Sequence, residues 1–366
     1  MDIYYLGFVY FLIASFMEVF CVKVNRNLKL MMLGIVFISL IFLSTIYYGP
    51  NGDVYAYERY FNSVKFSHLI HPVEPFEKGY ILLNAILRVF TNKYWVLRLA
   101  QAIIVIGLWW RIFLSKDGFL YGKEFLALFC LWSLKQGNIF IARSSIAVCI
   151  LIYSLKYIEE KRLNRFLTMF VIAMLFHTLA IVFLPAYWLY HWKGKRKFFY
   201  IAMIAAEILS PFLPNIITAI AGLIPHTYLR VKIIHYINDI GLISYTSISY
   251  TQQLLKSLIN MGSSVIIFEF ISKNTRRENS KLEGRMNLYA LGVLIYMIAI
   301  NVSTGMTRAA LPYMDMQMIL LPQIFDCPFA NKNIGNRMIV FMVFVLYLFL
   351  RMYVNVIELD YITMFS

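Results

Sequence analysis

The chain has 366 residues, of which 61% are hydrophobic and 17% aromatic. Only 14% are charged, against about 25% in a typical soluble domain. This composition excludes an ordinary soluble globular protein and makes the net charge of +15 a matter of loop bias rather than a nucleic-acid footprint. No RNP, helix-turn-helix or zinc-finger pattern is present.

A bilayer span needs about 20 largely apolar residues. Such runs fall near 3–22, 29–48, 94–114, 119–135, 138–158, 165–190, 197–221, 251–271, 286–304, 308–326 and 337–357. They predict one all-α polytopic integral membrane domain over 1–366, with about 10–12 transmembrane or half-membrane helices and external loops at 49–93 and 222–250. The first run, Ile3 to Val22, lacks a basic leader and a small-residue cleavage site, so it is expected to be a retained span. Cys21, Cys130 and Cys149 lie within apolar runs and Cys327 stands alone near a span end, a pattern of packing rather than disulfides or metal ligation.

Basic residues concentrate in cytoplasmic loops, and that bias sets the sides. Lys23, Arg26 and Lys29 put the first loop inside and the N-terminus outside, which leaves 49–93 external. Arg111, Lys116 and Lys123 return inside, as do Lys156, Lys161, Arg162 and Arg165. Simple alternation would then place Lys193, Lys195, Arg196 and Lys197 outside, together with Lys273, Arg276, Arg277, Lys281 and Arg285. One change repairs this. If 165–190 enters and leaves on the cytoplasmic side as two half-helices meeting near Phe176-His177-Thr178, every later loop falls correctly and the acidic tail (Glu358, Asp360) ends outside. A single long tilted helix is the competing reading. A helix broken at membrane depth is tolerated where it is buried in protein or lines a cavity, so the repair predicts a polar site around His177.

The same orientation gathers chemistry on the outer side. "YGPNGDVYAYERYFNSV" (48–64) interrupts the apolar sequence with a turn, Asp53 and several tyrosines. Arg143, in "GNIFIARSSIAV", begins a span near the external face, and Arg308, in "STGMTRAALPYMDM", sits at the external end of the next-to-last hairpin beside Tyr313 and Asp315. An ionisable group within a span is a functional-site hypothesis by default. Each residue also has a plainer role. Asp53 would cap a helix over 54–66 whose Tyr57, Phe61 and Val64 share a stripe. The arginines would snorkel, and His177 would bond to a neighbouring helix. Glu18, Glu207 and Glu269 also lie in spans and read as structural.

Four segments together resemble the EpsG-like branch of the Wzy-type polysaccharide polymerases. In order they are "GDVYAYERYF", "FEKGYILLNAILRVF", "IARSSIAVCILIYSLKYIEEKRLNRFLTMFVIAMLFHTLAIVFLP" and "TRAALPYMDMQMILLP". Each is short and degenerate; their order over most of the chain is the signal. The family often has Arg-Gln where this chain has Arg143-Ser144. The resemblance implies a GT-C-like helical fold in the bacterial cytoplasmic (inner) membrane. It implies glycan transfer from undecaprenyl diphosphate onto a hydroxyl of a new lipid-linked oligosaccharide repeat unit on the periplasmic or outer face, with inversion and without metal, nucleotide sugar or other cofactor. The partners it implies are membrane lipid, the undecaprenyl-diphosphate-linked oligosaccharide, and a chain-length regulator and flippase of the same pathway, with no nucleic acid.

The residue chemistry points the same way. Guanidinium groups bind phosphate in a fork and keep their charge, which suits Arg143 and Arg308 to a diphosphate leaving group. An acceptor hydroxyl needs a general base, for which Asp53 and His177 are the candidates. Tyr55, Tyr57 and Tyr313 offer sugar-facing aromatic surface. No Asp-x-Asp, HExxH or Gly-rich phosphate loop occurs. An O-antigen ligase, another lipid-linked glycosyltransferase and a lipid-linked oligosaccharide flippase are the alternatives at this stage.

Overall fold

The computed structural model describes residues 2–356 apart from 22–24, 50–51, 74–75, 116–119, 140, 195, 224–257, 260–261, 263–279 and 301–303. The expected external loop 222–250 (beyond Leu223), the expected span 251–271 (apart from 258–259 and 262) and the acidic tail lie outside the described residues, as do Glu269 and the Asp53 side chain. Every regular element among the described residues is helical. The protein is an all-α polytopic membrane protein. Four described helices are long and apolar enough to cross a bilayer: Ile3–Phe20, Arg26–Ile46, Tyr94–Phe113 and Ile334–Tyr353.

The contacts divide the chain into two compact units, Met1–Ile181 with Gln317–Ser366, and Val182–Met316. In the first unit, α1 (Asp2–Phe20), α2 (Arg26–Ile46), α5 (Tyr94–Phe113), α6 (Glu124–Lys135), α7 (Arg143–Glu159) and α8 (Leu163–Met174) pack together. They are joined by α13, which is Ile334–Val356. The middle of α6 and that of α7 are buried on all sides, from Phe125 to Leu134 and from Ile146 to Ile152. The apolar outer faces of α1, α2 and α13 stay exposed, with Leu6, Ile38 and Leu346 at 59–70%. In water that arrangement would drive association; around a bilayer protein it is the lipid-facing surface.

The loop at 49–93 is itself folded. It carries α3 (Gly52–Ser63) and α4 (Lys78–Phe90). Of the expected stripe, Phe61 on α3 and Val64 just after it are buried and Tyr57 is half-buried; Val54, outside that stripe, is buried too, while Tyr55 and Arg59 remain outside. The second helix was not expected. Its Tyr80, Ile81, Asn84 and Ala85 are buried, whereas Leu82, Ile86, Val89 and Phe90 are exposed. At 13 residues, or about 20 Å of rise, α4 is too short to span.

Within 165–190 the helix breaks. α8 ends at Met174, residues 175–177 form a turn, a 3-10 helix covers Thr178–Phe183, and α9 covers Ala186–Tyr190. Both apolar pieces, Leu163–Met174 and Thr178–Tyr190, are shorter than a span.

The second unit is built on α10 (Arg196–Leu209), α11 (Leu213–Gly222) and α12 (Ser280–Ala299). The Tyr190 hydroxyl donates to the Lys281 carbonyl at 2.9 Å, and the Asn287 amide donates to the Trp192 carbonyl at 2.7 Å. The Ser210 hydroxyl donates to the Met297 carbonyl at 2.7 Å. Both helices therefore start at one end and finish together, so α10 and α12 run parallel, and Lys193, Lys197, Lys281 and Arg285 lie toward one end of this unit. The run 197–221 is interrupted at Pro211, between α10 and α11. The run 308–326, expected as one span, is instead a chain of short helical pieces from Arg308 to Asp326. Pro312 and Pro322 explain this, since each removes a backbone donor and blocks the preceding turn.

Candidate functional site at the start of α7

Arg143 is the first residue of α7, and the chain leading to it has an unusual conformation. Gln136, Gly137 and Asn138 all have positive φ, at 49°, 64° and 55°. At Gly137 a Cβ would also lie 2.9 Å from the Leu40 side chain and from the Trp132 ring, so only glycine fits. Such strain persists where surrounding contacts over-determine it, and here a buried arginine supplies them. Arg98, 3% exposed, donates to the carbonyls of Ile141 at 2.9 Å, Ser44 at 2.8 Å and Ile139 at 3.2 Å. The Ser44 hydroxyl donates to the Asn138 carbonyl at 3.1 Å. The end of α2 and the first turn of α5 thus hold the segment that presents Arg143.

Arg143 points into a small polar cluster. Its Nη1 forms an ion pair with Glu77 Oε2, and its guanidinium lies over the Phe76 ring, 4.8 Å from the centroid. The other Glu77 oxygen, Oε1, accepts from the Thr178 backbone N–H at 2.9 Å and from the Thr178 hydroxyl at 3.3 Å. One carboxylate therefore joins the start of α4, the start of α7 and the break after α8. Arg143 and Glu77 are partly buried, with side chains 20% and 10% exposed. In such surroundings a charge-assisted bond is stronger than on an open surface.

Main-chain contacts hold the same three segments. The N–H groups of Gly79 and Tyr80 donate to the Leu175 carbonyl at 2.8 and 3.2 Å. A Cβ on Gly79 would stand 2.7 Å from that oxygen, so this approach requires glycine. Behind it lie Tyr60, Val64, Tyr80, Ile81 and Ala85, with Tyr57, Phe76 and Phe176 packed against them. Burial pushes the Tyr80 phenol well above its ordinary value, which keeps it neutral.

The expected site residues fall in different places. Arg143 and the 176–178 turn come together, bridged by Glu77. His177 is half-buried, and its Nδ1 accepts the Leu179 N–H at 3.2 Å. In a neutral ring that leaves the proton on Nε2. Tyr57 packs edge-on to Tyr80 at 5.8 Å. Tyr55 is 52% exposed and edge-on to Tyr48 at 5.5 Å. Asp53 is in the first turn of α3. Arg308 is exposed in the second unit. Tyr313 is fully buried in that unit, and its hydroxyl donates to the Val182 carbonyl at 2.6 Å; it is a packing residue with its polar atom committed. Among the described residues no three His, Cys, Asp or Glu side chains form a metal-ligating group.

The sequence model of the EpsG family matches residues 30–365. That range runs from within α2 through α13 and takes in every residue of the cluster. The chain belongs to the EpsG family. Neither a curated protein nor a solved structure matches it. Membership makes this a polysaccharide-polymerase-like membrane protein, of glycosyltransferase-like character. Within that EpsG chain, the sequence reading missed two charged residues. Glu77 has its partners 66 and 101 positions away, so nothing local distinguishes it from a solvated loop carboxylate. Arg98 lies in the apolar "YWVLRLAQ", where a basic residue one turn into a span was the available signal.

Proposed function

We propose that this EpsG-family protein is a polysaccharide polymerase that moves a glycan chain from undecaprenyl diphosphate onto a hydroxyl of a lipid-linked oligosaccharide repeat unit. The reaction takes place at the outer face of the bacterial cytoplasmic membrane and inverts the anomeric centre. The acceptor oxygen attacks the anomeric carbon as its proton passes to a base. The bond from that carbon to the diphosphate oxygen breaks, and its electron pair stays on the departing diphosphate. Charge growing on that oxygen is what a preorganised guanidinium stabilises.

The observation that supports this reading is Arg143, held at the start of a buried helix by a strained segment that Arg98 and Ser44 tie down, beside a broken helix and a folded loop. A guanidinium kept only for packing would not need such a mount. Arg308 is retained from the sequence as the second guanidinium. Of the two candidate bases, Asp53 is preferred from the sequence, and on the His177 side Nδ1 already accepts the Leu179 N–H. Tyr55 and Tyr57 are proposed to face sugar.

A strain lacking the gene tests the class of reaction. Loss of long glycan with retention of a single repeat unit is the expected result. Loss of all outer glycan would instead indicate a ligase or flippase, and an unchanged ladder would overturn the proposal.

A further inference from the structure

The Arg143 cluster already contains an anion. Three donors from two segments converge on it: Arg143 Nη1 on one oxygen, and the Thr178 N–H and hydroxyl on the other. These donors form a two-point seat for a doubly oxygenated anionic group, and a carboxylate and a phosphoryl group both present oxygens in that manner. In this structure the group filling it is the protein's own Glu77.

Two features show that this occupant can leave without dismantling its surroundings. Glu77 stands at the N-cap position of α4, yet its side chain makes no capping bond. The first turn of α4 is instead tied to the break by Gly79 and Tyr80 through the Leu175 carbonyl. Arg143 keeps a second support as well, the Phe76 ring beneath it. Rotation of one glutamate side chain would therefore expose a guanidinium, an N–H and a hydroxyl that stay in place.

We propose that Thr178 and Arg143 together bind one phosphoryl group of the diphosphate, and that Glu77 occupies this seat until the lipid-linked donor displaces it. This rests on the reading of Arg143 as the diphosphate-binding residue. It adds Thr178 as a binding residue and Glu77 as a built-in competitor. The competitor supplies the converging donors with an acceptor between turnovers, since desolvated donors left without one are costly. Any anion that binds must outbid it.

The test uses the full-length protein in detergent with inorganic pyrophosphate as the probe, measured by titration calorimetry. Removing the competing charge in Glu77→Gln should tighten binding about ten-fold, the equivalent of one charge-assisted hydrogen bond. Thr178→Val in the Glu77→Gln background should reverse most of that gain, with Thr178→Ser retaining it. Arg143→Ala should abolish binding. A purely structural role for Glu77 makes the opposite prediction, because its loss would loosen the seat. Unchanged or weaker binding by Glu77→Gln, with thermal unfolding near that of the parent, overturns the inference. So does absence of binding by every variant. The outcome is separable from the polymerase reading: normal long glycan in the deletion strain removes that reading whatever the titration shows, and a failed titration with loss of polymer removes only the seat.

Discussion

Two ion clusters in the first unit invite comparison, one where α6 begins and one where α7 begins. At the start of α6, Lys29 pairs with both Glu18 and Glu124 at 2.5 Å, and Arg26 pairs with Glu124 at the same distance. Glu18 also accepts the N–H groups of Phe125 and Leu126 at 3.0 and 2.8 Å, filling donors that open a helix. The carboxylates there are 4% and 1% exposed. Charges balance two against two beside a cavity of about 700 Å³ that is otherwise mostly apolar. At the start of α7 one carboxylate serves both a guanidinium and a turn, and the guanidinium also lies over an aromatic ring. In the first cluster two cations share two deeply buried carboxylates, so each charge has more than one tie or a helix end to hold it, which is the mark of architecture. The second turns on one glutamate side chain that can rotate, which suits a place where a ligand exchanges.

If that contrast is right, the first cluster should be far less tolerant of change. Lys29→Met leaves two buried carboxylates without their shared cation and should cost about 3–5 kcal/mol, seen as loss of folded protein or a large drop in thermal unfolding temperature in detergent. Arg98→Met belongs with the mount of the second cluster. It strands three buried carbonyls, so a cost of about 2–3 kcal/mol is expected, with a shortened glycan ladder because the segment before Arg143 is released. Gly79→Ala should cost about 1–3 kcal/mol from forced displacement, and the same ladder should shorten. Glu77→Gln should change stability by only about 1 kcal/mol. Equal losses for Lys29→Met and Glu77→Gln in one unfolding experiment would erase the distinction between the two clusters.

The comparison also depends on which cluster faces outward, and labelling can settle that without affecting stability. Single cysteines at Lys161 and Lys197 should react from the same, cytoplasmic side, as two half-helices meeting at 175–177 require. Labelling from opposite sides would restore one continuous crossing through 165–190.

Much of this architecture was legible in the residues. Apolar length alone located α1, α2, α5 and α13, because a bilayer imposes both the length and the hydrophobicity of a span. Charge bias led to an expected interruption near 176–178; the helix does end at Met174, and the labelling experiment decides whether the two pieces enter and leave on one side. The α3 stripe was legible in part: Tyr57, Phe61 and Val64 follow helical spacing, and of these Phe61 and Val64 are buried while Tyr57 is half-buried. What escaped was either non-local or broken by proline. Glu77 acquires meaning only from Arg143 and Thr178, far along the chain. Arg98 looks like a snorkelling residue until its three carbonyls are seen. The 308–326 run has the composition of a span, yet Pro312 and Pro322 divide it. Tyr313, placed by sequence beside Arg308 as a sugar contact, lies in the core because its hydroxyl finds the Val182 carbonyl there.

The central claim is that the Arg143 guanidinium binds the diphosphate of a lipid-linked glycan donor. The most direct measurement is the glycan ladder of a strain carrying Arg143→Ala, alongside the amount of that variant in the membrane. The expected result is parental protein level with single repeat units only, a loss of about 100-fold or more in chain extension, and partial recovery with Arg143→Lys. A full-length ladder from Arg143→Ala at parental protein level would contradict the claim.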